Sequence, residues 1–387
     1  MSSPLIQALQ DPSRYPHAVC SVELIETHIS WVLLAGEYAY KIKKPVDFGF
    51  LDFSELSRRR HYCEEEIRLN RRTAPGLYLD VVTLSGSPEC PGFEDGSDAL
   101  EYAVRMRRFD PMQGFDRLLE RDKLVAEYVE SLGEALADLH EVAAKAPADS
   151  SWGSPDEVIG PMRDNFKDLH KLLPGDHRLA RLDALAEWTE ARFADLVEVI
   201  AERRQQGFVR ECHGDVHLGN VALVDGKAML FDCIEFSPDL RWTDVMADLA
   251  FVVMDLREHK ADGHAWRLLD RYLAKTGDYE GLALLDFYVI YRAMVRAKVA
   301  ALGLKGDSEG NARILSDIDR YLALAGRVAA EQRAAIVLAC GVSGSGKSHL
   351  AKALLPDVGL IRLRSDVERK RLFGLGEFDS SGSAVGT

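Results

Sequence analysis

The amino-terminal part of the chain alternates apolar and polar residues in short segments separated by turns, which is the pattern of β-strands. The segments are residues 22–25, 29–34, 38–43, 78–84 and 102–109. Between the third and the fourth segment, residues 54–72 are rich in helix formers and contain few helix breakers. The pattern predicts a small antiparallel sheet with one helix inserted after its third strand.

After residue 110 the apolar residues recur mostly at steps of three and four, which is typical of amphipathic helices. The clearest helical segments are residues 123–144, 178–204 and 282–301. A short strand is predicted at residues 228–231. We therefore expect a sheet-containing lobe over residues 1–110 and a helical lobe over residues 111–330.

Length and composition agree with a protein of more than one folding unit. The chain has 387 residues, 47% of them hydrophobic, which is enough for a large core. Its six cysteines include no C-x-x-C pair, so neither a disulfide framework nor a zinc site is expected. The first residues lack the features of a signal peptide, and no apolar run approaches membrane-spanning length. We predict a cytoplasmic protein without a membrane partner.

The formal net charge of -14 argues against nucleic acid as the main partner, because binding to phosphate backbones relies on clustered Lys and Arg. Acidic residues also outnumber basic ones over residues 209–260. This excess either attracts Mg2+ and a cationic hydroxyl compound or forms a solvated acidic surface. The sequence leaves both interpretations open.

The segment from Cys212 to Asp248 contains the most specific motif. Asp215 is followed five positions later by Asn220 and twelve positions after that by Asp232. This is the spacing of a kinase catalytic loop and its metal-binding aspartate. Asp215 is predicted to deprotonate an attacking hydroxyl, while Asn220 and Asp232 hold Mg2+ against the phosphates of ATP.

The neighbouring residues make the motif more specific. The chain reads H-G-D-x-H-x-x-x-N from His213, with His217 in register, and continues with I-E-F-S-P-D-L-R-W-x-D-V. These motifs resemble the aminoglycoside phosphotransferase and choline kinase group of small-molecule kinases. The resemblance implies an α+β, protein-kinase-like fold of two lobes that binds a nucleotide and a small hydroxylated substrate. It places His213 and His217 beside Asp215 in the catalytic loop.

The third strand carries a candidate phosphate-binding lysine. Lys41 in A-Y-K-I-K-K lies where kinases place the lysine of V-A-I-K, and Lys43 is the fallback because it lies on the same face. A solvent-facing lysine is the simpler alternative. The helix should supply an acid for this lysine; we predict Glu66, although Glu64 and Glu65 are adjacent.

The last strand of the sheet is predicted to lead into the interlobe hinge. Backbone groups near Arg105, Met106 and Arg107, in Y-A-V-R-M-R-R-F, are the candidates for binding adenine.

Two acids downstream are predicted to support the site. Asp248 is expected to brace the catalytic loop through buried hydrogen bonds, and Asp244 is a comparable candidate. Glu235 either contacts metal or substrate or pairs with Arg241.

A second nucleotide motif follows near the carboxyl terminus. An apolar segment at residues 335–340 is predicted to be a strand, and G-V-S-G-S-G-K-S follows it at residues 341–348 before a helix. The predicted nucleotide-binding residues of this loop are Gly341, Gly344, Gly346, Lys347 and Ser348. The region after residue 331 is short for a domain with several parallel strands. We therefore predict an incomplete α/β P-loop segment over residues 331–387.

The whole order resembles a bacterial family in which an aminoglycoside phosphotransferase-like domain is fused to a predicted P-loop kinase. Three hypotheses follow. The first is an ATP- and Mg2+-dependent kinase of a small-molecule hydroxyl that acts at Asp215. The second is a P-loop ATPase or kinase with a regulatory first domain, and the third is a non-catalytic nucleotide-binding module. The acceptor and the oligomeric state do not follow from the sequence.

Overall fold

A computed structural model describes residues 4–49, 51–93, 98–304, 310–330, 335–342, 344–377 and 379. The strands are β1 Val22–Glu26, β2 Ser30–Ala35, β3 Tyr38–Lys43, β4 Tyr78–Ser87, β5 Cys90–Gly92, β6 Glu101–Arg107, β7 Val209–Glu211, β8 Val221–Val224, β9 Lys227–Leu230 and β10 Trp242–Asp244. The helices are α1 Pro4–Ala8, α2 Leu56–Asn70, α3 Phe115–Glu120, α4 Ala126–Val142, α5 Pro155–Leu172, α6 Leu179–Gln206, α7 Pro238–Arg241, α8 Val245–Glu258, α9 Asp262–Thr276, α10 Leu282–Ala301, α11 Asn311–Ala330, α12 Lys347–Val358 and α13 Ser365–Leu372. The predicted α+β class is confirmed.

The chain folds into two compact units. The amino-terminal unit contains Met1–Lys123, His213–Asp215 and Gly219–Arg241. The carboxyl-terminal unit contains Leu124–Cys212, Val216–Leu218 and Trp242–Thr387. The motif around Asp215 is thus divided between the two units. The predicted domain boundaries at residues 110 and 330 stay a prediction.

The amino-terminal unit is built on an antiparallel sheet in the order β1-β2-β3-β6-β4-β5. Successive side chains of a strand point to opposite faces, so β3 contributes to two cores. Tyr40 and Ile42 pack on one face with Leu33 and Ala103. The opposite face contains Ala39 and packs against α2. Lys41 and Lys43 therefore point toward the helix side of the sheet.

A hairpin of β8 and β9 positions two polar residues of the motif. Its turn is Asp225-Gly226, where both residues have positive φ angles, as tight two-residue hairpin turns require. Asn220 directly precedes β8, and one residue separates Asp232 from the end of β9. The Phe231 amide donates to the Asn220 carbonyl over 3.0 Å, so the two ends of the hairpin are held together.

The carboxyl-terminal unit is mainly helical. Every residue of α8 is buried, because α9, α10 and α11 all contact this helix. Helix α4 packs on α9, and α10 also contacts α5. The short strands β7 and β10 form an antiparallel ribbon. No helix in the described part of the chain is both long and apolar enough to cross a membrane.

The predicted strand at residues 335–340 is wrong. This segment forms no strand, and Ile336, Val337 and Leu338 are exposed. An apolar run becomes a strand only when a neighbouring strand satisfies its backbone hydrogen bonds. No strand lies beside this run in the sheets that the described residues form. Helix α12 nevertheless begins at Lys347 and packs against α9.

Candidate functional site

Asp215 and Asn220 are brought together by the turn between them. The Asn220 side-chain amide donates to the Asp215 carbonyl over 2.9 Å and to its carboxylate Oδ2 over 3.2 Å. These bonds use the nitrogen of the Asn220 side chain, so its oxygen is the atom suited to a cation. The preceding Gly214 has φ +88°, and a Cβ there would lie 3.0 Å from the Leu240 carbonyl oxygen. Glycine therefore permits this close turn.

His213 supports the loop from within the core. Its side chain is fully buried, and Nε2 lies 2.9 Å from the Phe231 carbonyl oxygen, which must accept the hydrogen bond. The Asp215 amide in turn donates to Nδ1 over 3.4 Å. The ring thus joins the segment at Asp215 to the end of β9. This geometry suits a residue that positions Asp215 better than one that exchanges a proton with a substrate.

Asp232 occupies a strained turn directly after the hairpin. Its φ angle is +61°, a left-handed conformation that is uncommon outside glycine but that aspartate tolerates. Its amide donates to the Tyr78 hydroxyl over 3.0 Å, and the Cys233 amide donates to Asn70 Oδ1 over 2.9 Å. Contacts from β4 and α2 therefore fix the backbone that presents the Asp232 carboxylate.

Lys41 joins this aspartate to α2. Its Nζ lies 2.6 Å from Asp232 Oδ1 and 2.8 Å from Glu66 Oε1. The predicted lysine, helix acid and metal-binding aspartate thus lie together within the amino-terminal unit. Their roles with nucleotide and metal stay predictions.

The structure distinguishes the three adjacent glutamates. Glu66 is fully buried and contacts both Lys41 and Lys43. Glu64 pairs with Arg60 on the helix surface, and Glu65 pairs with Arg68. The helical period turns each successive side chain by about 100°, so only one of three adjacent residues can face the sheet squarely.

Opposite charges outweigh burial at Glu66 and Lys41, whereas burial prevails at Glu235. Burial alone would raise the pKa of Glu66, but Lys41 and Lys43 lower it to about 2. Burial would likewise lower the pKa of Lys41, yet Asp232 and Glu66 raise it well above its ordinary value. Burial, assisted by Glu66 and Asp232, raises the pKa of Glu235 despite the nearby Lys43.

Some of these residues line a cleft of about 650 Å3 in the amino-terminal unit. One part of its wall is apolar and includes Ile25, Val32, Leu77, Met106 and Phe231. Another part carries the charged residues Lys41, Asp215, Asp232 and Glu235. An apolar wall beside convergent charged groups is typical of a small-molecule or cofactor site.

Strand β6 contains the residues predicted to bind adenine, and that role stays a prediction. Strand β6 continues to Arg107, and Arg105 lies between β3 and β4 with its guanidinium paired to Asp80 at 2.6 Å. Arg105 does not line the cleft, whereas Met106 does. Beyond the middle of β6, the Arg107 amide donates to the Leu77 carbonyl and the Arg108 amide donates to the Glu37 carbonyl. The chain therefore stays attached to its neighbours as far as Arg108.

The remaining predicted residues lie in the carboxyl-terminal unit. The His217 ring makes an edge contact with Phe251 at a centroid distance of 5.9 Å. Asp244 caps the amino end of α8 through the Met246 amide and pairs with Arg203 at 2.8 Å. Asp248 is fully buried, and its Oδ2 lies 3.2 Å from His140 Nε2. The brace role of Asp248 stays a prediction.

Sequence reasoning missed one acid that supports the loop. Asp255 lies two turns beyond Asp248 on α8, and its Oδ2 accepts the Leu218 amide over 2.8 Å. Its spacing of seven residues from Asp248, which repeats a helical face, was a usable signal. Lys43 was considered only as an alternative to Lys41, but the structure gives it separate partners, Glu66 and Glu235.

The P-loop residues lie in the carboxyl-terminal unit. Gly341, Gly344 and Gly346 all have positive φ angles, and Ser348 is the second residue of α12. Lys347 Nζ donates to the carbonyls of Gly341 and Val342, at 2.7 Å each. The lysine thus folds over its own loop, so the described part of this motif is a compact turn at a helix amino terminus.

Contacts beyond the P-loop attach this segment to α9. Arg362 pairs with the nearly buried Asp270, and Glu377 accepts from both Arg271 and Arg364.

Comparison with known proteins agrees with these features. The model of the phosphotransferase enzyme family matches residues 54–285, and that of an AAA domain matches residues 336–384. An uncharacterized protein of Mycobacterium tuberculosis is 31% identical over 356 residues, which cover 91% of this chain and 68% of the relative. A protein of Mycobacterium bovis matches to the same extent.

Solved structures show the same fold at low sequence identity. A choline/ethanolamine kinase family protein from Mesorhizobium loti has a TM-score of 0.51 and 13% identity, over 84% of this chain and 98% of its own. An amicoumacin kinase in complex with AMP-PNP, Ca2+ and Ami has a TM-score of 0.51 and 12% identity, over 84% and 92%. The protein-kinase-like fold is therefore confirmed. The chain belongs to the phosphotransferase enzyme family.

Proposed function

We propose that the amino-terminal unit transfers the γ-phosphoryl group of ATP to a hydroxyl group of a small molecule. The observation that carries the proposal is that Asp215, Asp232 and Lys41 line one cleft, with the Asn220 side chain hydrogen-bonded to Asp215. Asn220 contacts Asp215, and Lys41 contacts Asp232. Phosphoryl transfer depends mainly on positioning and on stabilising charge, and these residues supply both.

Asp215 acts as the base in this proposal. It accepts the proton of the acceptor hydroxyl as the hydroxyl oxygen forms its bond to the γ-phosphorus. The bond between that phosphorus and the bridging oxygen breaks, and ADP leaves with the electron pair. His213 holds the Asp215 amide, and Asn220 holds its carboxylate and carbonyl, so the base is fixed before the acceptor arrives.

Lys41 holds the phosphates of the bound nucleotide. Its fixed charge sits between Glu66 and Asp232, so the ammonium group stays protonated and oriented. A nucleotide phosphate offers it a third anionic partner. The apolar wall that contains Met106 and Phe231 suits the adenine ring.

The oxygens of Asn220 and Asp232 fit a magnesium ion. Both are hard oxygen ligands, and Mg2+ in kinases takes a few protein oxygens together with substrate phosphates. Bound there, Mg2+ would neutralise charge that develops on the transferred phosphoryl group. The amicoumacin kinase of the same fold was solved with a divalent cation and a nucleotide analogue, which supports this assignment.

The P-loop is the competing location for the chemistry, because its lysine and helix amino terminus are suited to phosphate. Its sequence matches an AAA domain over residues 336–384. Lys347 instead binds carbonyl groups of its own loop, and the run before the loop forms no strand. These features favour the cleft as the catalytic site.

Substitution at each site tests the proposal. Mg2+-dependent turnover of ATP is measured with a panel of hydroxylated metabolites and aminoglycosides, for the wild type, Asp215→Ala and Lys347→Ala. Loss of the base is expected to reduce phosphoryl transfer about a hundredfold or more. If Asp215→Ala is silent and Lys347→Ala abolishes turnover, the P-loop carries the activity and the proposal is wrong.

A further inference from the structure

Lys43 makes a second set of contacts beside the pair of Lys41 and Glu66. It lies two residues after Lys41 on β3, and its side chain is completely buried. Its Nζ lies 2.7 Å from Glu66 Oε2, contacts the Glu235 carboxylate and sits 4.9 Å from the centre of the Phe53 ring. A buried ammonium group of this kind is retained only when carboxylates compensate its charge.

The two oxygens of Glu66 are held differently. Lys43 makes an aligned hydrogen bond to Oε2 over 2.7 Å. Lys41 approaches Oε1 at 2.8 Å, but Oε1 has no hydrogen bond of good geometry. The contact of Lys41 is therefore less well aligned than that of Lys43. An aligned hydrogen bond constrains the orientation of a carboxylate more than a poorly aligned contact does.

Lys43 also connects α2 to the segment that follows the metal-binding aspartate. Glu235 comes three residues after Asp232, is nearly buried and lines the cleft. Its carboxylate contacts Lys43, while its carbonyl oxygen accepts a hydrogen bond from Arg241 over 3.1 Å. Glu66 and the segment at residues 232–235 are thereby attached to one ammonium group.

We infer that Lys43 and Glu235 form a positioning pair that orients Glu66 toward Lys41 and so sets the geometry of the phosphate-binding lysine. This inference rests on the proposed function of the cleft. Lys43 does not line the cleft and touches no reacting atom. It acts through Glu66 on one side and through the chain after Asp232 on the other. Supporting residues of this kind typically change activity by about 10–100-fold when they are removed.

The competing explanation is simple charge compensation, in which Lys43 only neutralises two buried carboxylates. The two explanations predict different activities when the positive charge of Lys43 and one neighbouring negative charge are removed together. Lys43→Met leaves Glu66 and Glu235 with less compensation, so both explanations predict a lower melting temperature. Lys43→Met combined with Glu235→Gln removes one positive and one negative charge. Compensation alone then predicts recovery of activity together with stability.

The experiment compares the melting temperature and the kinetics of ATP turnover for the wild type, Lys43→Met and the double variant. The residual ATP turnover of Asp215→Ala is subtracted from each rate, so that any turnover at the P-loop is not included. We expect the double variant to regain most of its melting temperature, with kcat still reduced about tenfold or more and KM for ATP raised. Recovery of both kcat and melting temperature would overturn the inference.

Glu101→Gln is the matched control. Glu101 is a buried carboxylate of the same unit, pairs with Arg59 and does not line the cleft. Its loss is expected to lower the melting temperature but to leave kcat and KM for ATP unchanged below that temperature. An equal loss of kcat in this control would mean that any damaged ion pair in the unit reduces activity, which also contradicts a specific role for Lys43.

A crystal structure of the double variant tests the positioning without relying on turnover. We expect the Glu66 carboxylate to rotate away from Lys41 once its aligned hydrogen bond is lost. Unchanged contact between Glu66 and Lys41 would refute the inference even if the cleft is active. Failure of the proposed function would be recognised separately, as full turnover in Asp215→Ala.

Discussion

Glu66 carries its charge in a fully buried position between two lysines, while Glu64 on the same helix is half exposed. Glu66→Gln keeps the shape of the side chain but removes the charge that holds Lys41. We expect it to lower ATP turnover about 10–100-fold, with a raised KM for ATP. Steady-state kinetics check this. Glu64→Gln is the matched control and should resemble the wild type; similar losses in both variants would contradict the assignment.

The pH dependence of stability provides a second test at Glu66. Lys41 and Lys43 overcome burial and hold its pKa at about 2, below the ordinary value of 4.5. A lowered pKa in the folded state contributes stability above pH 4.5, and that contribution is lost as the pH falls toward 2. The free energy of unfolding of the wild type should therefore exceed that of Glu66→Gln by a few kcal/mol at neutral pH.

The difference in free energy of unfolding between the wild type and Glu66→Gln should shrink as the pH falls from 4.5 toward 2. Denaturant unfolding at a series of pH values measures it. A difference that stays constant from neutral to acidic pH would show that Glu66 is not held ionised by the lysines.

At the scale of elements, one helix glycine lies against a neighbouring helix and another faces open space. Gly133 lies in the interior of α4, where an added Cβ would meet the Leu268 carbonyl oxygen of α9 at 3.0 Å and Arg271 Cβ at 3.3 Å. Alanine normally favours a helix over glycine by about 1 kcal/mol. Here the forced separation of α4 and α9 should cost about 1–3 kcal/mol, so Gly133→Ala is expected to destabilise.

Gly326 in α11 is the control, because a Cβ at this position meets nothing within 4 Å. Gly326→Ala should stabilise the protein by about 0.5–1 kcal/mol. Thermal unfolding of both variants checks the pair. Stabilisation by Gly133→Ala would show that α4 and α9 have more room than the structure indicates.

The sequence predicts most elements because their patterns are local. Strand β3 and helix α10 have the predicted limits, and the five-residue spacing brings Asn220 to Asp215 within one short turn. The pairing of Arg105 with two neighbouring strands is not visible in its own segment. The strand predicted at residues 335–340 is wrong because such pairing is not visible there either. A strand depends on its partners.

Long-range ion pairs set the limit of prediction. Contacts such as Lys41 with Asp232 and Lys43 with Glu235 join residues that are about 190 positions apart. Hydrophobic periodicity shows which face of β3 the lysines share, but it does not show which acid each lysine reaches. Analogy to kinases supplied Glu66 as a partner of Lys41, but it did not supply Asp232. It supplied none for Lys43.

At the scale of the whole molecule, ligand binding should stabilise the fold. A ligand that binds only the native state raises stability by about 2.7 kcal/mol at a hundred times its Kd. We expect AMP-PNP with Mg2+ to raise the melting temperature, and removal of Mg2+ by EDTA to reduce that increase. Asp232→Asn should lose most of the Mg2+-dependent part, as measured by differential scanning calorimetry. An unchanged Mg2+ response in this variant would remove Asp232 from the metal site.

Because the chain contains two nucleotide motifs, the central question is which of them binds the nucleotide. A crystal structure of the full chain with Mg2+ and AMP-PNP answers it most directly. We predict nucleotide in the cleft, with Mg2+ about 2.0–2.1 Å from oxygens of Asn220 and Asp232 and with Lys41 on a phosphate. Nucleotide bound only at Lys347 and Ser348, with the cleft residues uninvolved, would contradict the account.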